Sequence, residues 1–441
     1  MIAPSPAARP ATRAWQNFFW LVGGRIIRGG ISLVIGVWMA RYLGPADYGI
    51  LNSAIAIVTM LLALGGLGLD SVVRQELVRD PANASMILGT CMALRVAAGV
   101  LSYLVLFFLT AGWAGELREV WLITGLMLIT HVPLSLDFWF QAQLQLRVST
   151  IAQNVAFAIS AALRALFIMT GSAVVWFAVA IVLEGPISGL FLFFSHGRLS
   201  PETESFHWDT RRAKSWLRAC WPLLVANLFA VGFGQMNQVL IVRLSDLNEA
   251  GRFAAASRVF ELGTFVLTAF VTTRIAEIAA SRDSGKYAAR RTLRHILGSV
   301  STMAWGMAIP LALAAPLLVR FLFGHEFRHT EAAIRWIVFG LLPFGLGLVR
   351  HEYWIGSLRT QRLLVANVAG AILNLALAFA LIPKWGAAGA AAATATSLLF
   401  ANLGATFFWS DARDFAFWQL HSIAVTHLWR RLRVMRKKKT R

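Results

Sequence analysis

The chain has 441 residues, 58% of them hydrophobic and only 14% charged, with a formal net charge of +20. Soluble domains are nearer 45–50% apolar and about 25% charged, so no water-soluble core could hide this much apolar surface. The basic residues form no nucleic-acid stripe: they fall between apolar runs and in residues 430–441, where they would meet anionic lipid headgroups.

Residues 1–17 hold Arg9 and Arg13 and lead into an apolar run too long for a cleavable signal core. A retained first transmembrane helix is therefore predicted over 18–40. Further apolar stretches of about 20 residues follow at 50–68, 87–110, 119–137, 150–170, 173–194, 217–242, 253–279, 295–319, 332–350, 362–382 and 387–409. Pro133 interrupts the fourth and Pro222 opens the seventh, which a bundle tolerates because neighbouring helices re-satisfy the freed carbonyls. Cys91 and Cys220 lie far apart, in or beside apolar segments, so neither a disulfide framework nor a metal spacing is expected.

The loops divide by charge. Those on one side, including 69–86, 195–216 and 280–294, carry with both termini 26 Lys and Arg; the opposite side carries 8. The first side is expected to be cytoplasmic, with both ends inside. The longest polar break, 195–215, splits the predicted helices six and six. We expect an N-terminal lobe over 1–200, a linker over 201–215, a C-terminal lobe over 216–409 and a basic cytoplasmic tail over 410–441. The halves look like repeats. Arg41 to Gly49 aligns with Arg243 to Gly251 at an offset of 202, and Phe138-Trp139 followed by Arg147 aligns with Tyr353-Trp354 followed by Arg362 at an offset of 215. Both pairs fall on the same membrane side, which implies parallel repeats about an axis along the membrane normal.

Charges inside apolar helices are costly in lipid, so each is a candidate for function. The arginines are Arg25, Arg28, Arg95, Arg164, Arg258, Arg274 and Arg350; the acids are Glu184, Glu261 and Glu277. Arg258 with Glu261 and Arg274 with Glu277 are three apart and can pair on one helix face. Arg25 and Arg28 share a face among glycines, have no acid near them in sequence, and call for an anion or a wet cavity. Arg95 has no acid partner in its helix, and Arg164 has Glu184 as a possible partner across helices. Arg350, near a cytoplasmic edge, reads as an interfacial anchor. Guanidinium forks bind phosphate oxygens in pairs and stay charged, so this set favours an anionic cargo over a cation.

His325-Glu326-Phe327-Arg328-His329 matches H-E-x-x-H, in which histidines four apart bind zinc. Its setting in a short loop, with possible third ligands on the other membrane side, speaks against a metal. No G-x-x-x-x-G-K-[ST] loop occurs, so no nucleotide and no other cofactor is expected.

Three stretches carry a resemblance. The first is Ala40-Arg-Tyr-Leu-Gly-Pro-Ala-Asp-Tyr-Gly49 with Gly66-Leu-Gly-Leu-Asp-Ser-Val-Val-Arg-Gln-Glu76. The second is the Pro222 helix with Gln235-Met-Asn-Gln-Val-Leu and Glu249-Ala-Gly-Arg-Phe-Ala-Ala-Ala-Ser-Arg258. The third is Leu322-Phe-Gly-His-Glu-Phe327 with Leu381-Ile-Pro-Lys-Trp-Gly-Ala-Ala-Gly389. Together they resemble the polysaccharide-repeat flippases, the Wzx-like family of the MOP superfamily. In that pattern Glu326 and Phe327 belong to an FG-x-[DE]-[FY] turn, which absorbs the zinc-like motif. Asn237 stands where the family often has an acid, which puts ion coupling at that helix in doubt.

The resemblance implies an all-α polytopic membrane protein of about 12 helices in two six-helix lobes, MOP/MATE-like, in the bacterial inner membrane. It implies a transporter, not an enzyme, that moves undecaprenyl-pyrophosphate-linked oligosaccharide units from the cytoplasmic to the periplasmic leaflet by alternating access. Arg25, Arg28, Arg95, Arg164, Arg258 and Arg274 would face the anionic headgroup, with Glu184, Glu261 and Glu277 as charge partners. Anionic lipids at the cytoplasmic face, a glycan polymerase and chain-length proteins would be partners, with proton or other ion coupling unassigned. The alternatives are a lipid II or teichoic-type flippase, a multidrug cation antiporter and a membrane glycan polymerase. The last would need a catalytic periplasmic loop, and the longest here, around 320–331, is short.

Overall fold

The computed structural model describes residues 10–199, 206–283, 285–355 and 360–423. Among them there is no strand. The helices run α1 (Pro10–Gly65), α2 (Asp70–Arg79), α3 (Ala84–Leu109), α4 (Glu116–Gly125), α5 (Met127–Thr130), α6 (Asp137–Ala142), α7 (Leu146–Met169), α8 (Val174–Val182), α9 (Glu184–Leu199) and α10 (Thr210–Leu244). They continue as α11 (Leu247–Thr272), α12 (Ile275–Asp283), α13 (Gly285–Leu313), α14 (Ala315–Leu318), α15 (Thr330–Phe339), α16 (Leu341–Ile355), α17 (Thr360–Asn402) and α18 (Arg413–Ile423).

Nine helical segments among the described residues are long and apolar enough to cross a membrane. Two of these are double. Helix α1 breaks at Gly44 (φ 70°), just before Pro45, and α17 breaks at Gly386 (φ 52°), three residues after Pro383. Only glycine enters that backbone region at no steric cost. Each break turns one long helix into two passes, and α10, at 35 residues, adds another. The fold is thus an all-α multi-pass membrane protein with room for about twelve passes. The fourth predicted stretch is broken as Pro133 implied: α4 and α5 give way to a 3-10 turn over Val132–Leu136 and then α6. The region read as a loop over 69–86 instead contains α2, whose Val73 and Leu77 are buried.

Two compact units divide the chain: Met1–Tyr42 with Ala54–Leu228, and Leu43–Ser53 with Phe229–Arg441. The division falls inside α10 rather than at 201–215, and 43–53 packs with the second unit. The core of the first unit gathers Leu69, Val73, Leu88, Leu136, Trp139 and Trp216. Both cysteines are free and buried in it. Arg212, near the start of α10, clamps α2 by ion pairs to Glu76 (3.1 Å) and Asp80 (2.8 Å), and Trp216 Nε1 donates to Glu76 Oε1 at 2.7 Å.

In the second unit the 202-residue repeat becomes visible as a reciprocal contact. A Cβ on Gly49 would lie 2.1 Å from the Leu247 carbonyl oxygen, and one on Gly251 would lie 1.8 Å from the Pro45 carbonyl oxygen. Pro45 aligns with Leu247 and Gly49 with Gly251, so each segment presents to the other the surface it receives. The second repeat pair is also core: Trp139 is 8% exposed in the first unit and Trp354 is fully buried in the second. Helix α18, at the start of the stretch read as a tail, packs on this unit, where the Gln419 amide donates to the Asn402 carbonyl at 3.2 Å. Residues 424–441 lie outside the described part.

Candidate functional site

The first unit holds a cavity of about 380 Å³, lined by Asp70, Ser71, Arg95, His131 and Asn227 among apolar residues. Its rim is made where the chain turns from α1 to α2. Leu67 (φ 52°) and Gly68 (φ 67°) both take the left-handed conformation there, an uncommon one for a bulky residue. That turn delivers Asp70 to the start of α2, where a carboxylate suits the positive helix end. From α3, Arg95 forms an ion pair with Asp70, donates from Nη1 to Ser135 Oγ at 3.0 Å, and lies 4.8 Å from the centre of the Phe138 ring. Arg95 has no acid within its own helix; its partner comes from α2, in the 69–86 region expected to be a loop. Asp70 is 59% exposed, so it counters Arg95 from the open side of the cavity.

A second cluster sits on the same unit. Arg28 of α1 forms an ion pair with Glu184, the first residue of α9. Arg28 has no acid near it in sequence and finds one across helices; Glu184, expected as a possible partner of Arg164, also lies within reach of that arginine's charge. Arg164 is close by nonetheless. Its guanidinium lies 5.6 Å from the Phe157 ring centre and that of Arg28 lies 4.9 Å from the same ring. Arg164 is 9% exposed and donates from Nε to the Ser160 carbonyl at 3.1 Å. Two cations therefore stand beside one aromatic ring and one carboxylate. Arg25 lies on α1 one turn earlier, and its side chain is outside the described part.

His131 joins the two clusters. It lines the cavity with Arg95, and its ring packs against Gly185, where a Cβ would lie 2.6 Å from Nδ1. Sequence reading missed His131, Asp70, Ser135 and Phe157. His131 had a signal, being an ionisable residue inside an apolar span. The chemistry of the arrangement suits an anion: guanidinium donors held against the Phe138 and Phe157 rings, with the exposed Asp70 carboxylate at the cavity as a displaceable counter-charge.

The family model for "Polysaccharide biosynthesis protein" matches residues 14–275, more than half the chain. The chain belongs to this family. The match spans every charged residue of the two clusters. Among curated proteins, this family member is 22% identical over 357 residues to the succinoglycan biosynthesis transport protein ExoT of Rhizobium meliloti (strain 1021), covering 79% of this chain and 68% of that one. Among solved structures, it matches the lipid II flippase MurJ in an inward closed conformation with a TM-score of 0.69 at 16% identity, covering 92% of this chain and 91% of that one. It also matches an inward-facing multidrug resistance MATE family transporter of the MOP superfamily, with a TM-score of 0.68 at 15% identity over 90% and 99% of the two chains. At these identities the likeness shows the MOP-type fold alone.

The remaining site residues of this polysaccharide biosynthesis protein lie in the second unit. Arg258 pairs with Glu261 at 2.9 Å and approaches the Tyr48 hydroxyl at 3.4 Å; Arg274 pairs with Glu277. The spacing of three does place each pair on one face, as the sequence reading expected. Asn237 is buried and donates to Thr394 Oγ1 at 2.7 Å. The H-E-x-x-H stretch serves packing: Glu326 Oε2 lies where it would be 2.7 Å from a Cβ on Gly44, and the buried Phe327 ring meets Tyr48 edge-on at 6.3 Å. Arg350, read as an interfacial anchor, is instead 1% exposed, because α17 and the turn after it close over its guanidinium.

Proposed function

We propose that this protein is a flippase that carries undecaprenyl-pyrophosphate-linked oligosaccharide units from the cytoplasmic to the periplasmic leaflet of the bacterial inner membrane, with both termini cytoplasmic. The observation that carries the reading is the pair of arginine clusters in the first unit: Arg95 with the exposed Asp70 at the cavity, and Arg28 and Arg164 about Phe157 with Glu184. A pyrophosphate needs several fixed donors, and arginine supplies them without loss of charge in a poorly hydrated site. The family membership and the transport role of the Rhizobium relative support a lipid-linked glycan as cargo. The prenyl tail stays in lipid while the head group enters the cavity, and exchange between inward- and outward-open states follows the general scheme for transporters with internal repeats. Moving net charge across the membrane is worth about 2.3 kcal/mol per charge per 100 mV, so the potential or a counter-ion supplies the drive.

The test is a deletion strain. Lipid-linked repeat units build up on the cytoplasmic leaflet and surface glycan is lost, and the wild-type gene restores both. Unchanged surface glycan and unchanged precursors in the deletion strain would sink the reading.

A further inference from the structure

The second unit buries a guanidinium that the proposed function does not use. Arg350 donates from Nη1 to the Ala401 carbonyl at 2.6 Å and to Thr406 Oγ1 at 3.3 Å, and from Nη2 to Asn402 Oδ1 at 3.1 Å. All three acceptors are neutral, and Nε is buried without a hydrogen-bond partner. Among the described residues no ion pair includes Arg350. Taking a charge out of water is unfavourable unless a counter-charge offsets it. Ala401 and Asn402 end α17, and the carbonyls of a helix end supply only about half a negative charge. The Trp354 ring, 5.0 Å from the guanidinium carbon, adds a weaker attraction. Part of the charge is left without compensation.

A cavity of about 240 Å³ opens beside this guanidinium. Asn367 and Asn402 continue its polar wall, and Phe344, Leu363 and Leu398 form an apolar one. The volume falls below the roughly 300–1,000 Å³ of pockets that enclose whole small molecules. It suits a head group and the first carbons of a chain.

The repeat adds an independent observation. At the offset of 215 that aligns Trp139 with Trp354, Arg350 stands in the register of Ser135. Ser135 is the hydroxyl that receives Arg95 at the first unit's cavity. Each unit thus brings a guanidinium to the same register beside a cavity, from α3 in the first and from α16 itself in the second.

We propose that the Arg350 cavity is a second anion site, which takes the phosphate group of a lipid or free inorganic phosphate through the buried guanidinium and the two asparagines. It lies in a different unit from the substrate cluster and stands or falls separately.

The experiment uses the full chain in phosphatidylcholine nanodiscs, with Arg28→Ala as background so that the first-unit cluster does not dominate. Dioleoyl phosphatidic acid is titrated in, and retained lipid is counted by native mass spectrometry. Saturable binding is expected, weakened at least tenfold by adding Arg350→Gln and equally by adding Asn367→Trp. The tryptophan fills the cavity and leaves the bonds of Arg350 in place, so it decides the matter if Arg350→Gln does not fold. Competition by millimolar inorganic phosphate assigns the site to the free anion as well; no competition assigns it to the lipid phosphate. Phosphatidic acid held no tighter than phosphatidylcholine, or held by both variants as tightly as by the Arg28→Ala background, overturns the proposal.

Discussion

Replacing Arg28 with alanine takes from Glu184 its ion-pair partner and leaves it beside Arg164. The two side chains are 38% and 20% exposed, so their pairing is neither a surface nor a core interaction. Two unit charges about 4 Å apart attract by about 4 kcal/mol at an effective dielectric of about 20, while exposed pairs retain only about 0–1 kcal/mol. Screening on the more open Arg28 side puts this pair between, at about 2 kcal/mol, or about 30-fold at 1.4 kcal/mol per decade. Both Arg28→Ala and Glu184→Gln should therefore lower the unfolding temperature, with a coupling energy of about 1–2 kcal/mol in the double-mutant cycle. Their effects on anion binding should oppose each other. Arg28→Ala removes a donor and should weaken binding of a pyrophosphate lipid about 30-fold. Glu184→Gln removes the competing carboxylate between two cations, so it should tighten binding and slow release. The assay is a pyrophosphate-lipid titration of purified protein in nanodiscs, beside thermal unfolding of the same samples. Equal losses of stability with unchanged binding in both variants would mean that the pair is only a strut, and the reading of this cluster as a cargo site would be wrong.

Three further outcomes are expected. Gly251→Ala and Gly49→Ala each press a methyl group into a backbone carbonyl, so each should cost about 1–3 kcal/mol in thermal unfolding, while Gly306→Ala, with nothing within 4 Å, should cost nothing; equal tolerance of all three would contradict the reciprocal packing. At the Arg212 clamp, hydrogen bonds from Arg212 and then Asn83 hold Asp80 below its ordinary 3.8, and the Arg212 backbone N–H holds Asp209 below the same value. A carboxylate depressed by folding stabilises above its unfolded pKa and loses that contribution as pH falls through its folded one. Hydrogen exchange of α2 and the start of α10, corrected for intrinsic rates, should stay slow down to about pH 4 and rise below 3.8; Arg212→Ala should make it fast throughout, and a step near neutrality would refute the assignment. Chelators and His325→Ala should leave transport unchanged, since Glu326 packs at Gly44; loss of transport on chelation would revive a metal site.

The helices and their interruptions were legible because lipid demands long apolar runs, because Pro133 interrupts the fourth, and because the predicted spans part between 382 and 387. Repeat offsets were legible through Gly49, Gly251, Trp139 and Trp354, whose packing leaves little freedom in residue type. The pairs Arg258–Glu261 and Arg274–Glu277 followed from spacing along one helix. Partner choice across helices did not. Arg28 and Glu184 are 156 residues apart, and nothing in either local sequence states how α1 and α9 are rotated about their axes. The same rotation decided that Arg350 faces inward. Asp70 escaped notice because α2 is short and polar, below the signal of an apolar span, so its carboxylate looked like part of a loop.

The proposed flippase moves a lipid-linked glycan past the arginine clusters of the first unit. The most direct measurement places the purified protein in liposomes loaded on one leaflet with undecaprenyl-pyrophosphate-linked oligosaccharide, and follows its exposure to a membrane-impermeant glycosidase on the other. Wild-type protein should expose the glycan at a rate well above protein-free liposomes, and Arg28→Ala with Arg95→Gln should return that rate to background although the protein inserts and stays folded. Exposure no faster than in empty liposomes, or equal rates for wild type and the double variant, would contradict it.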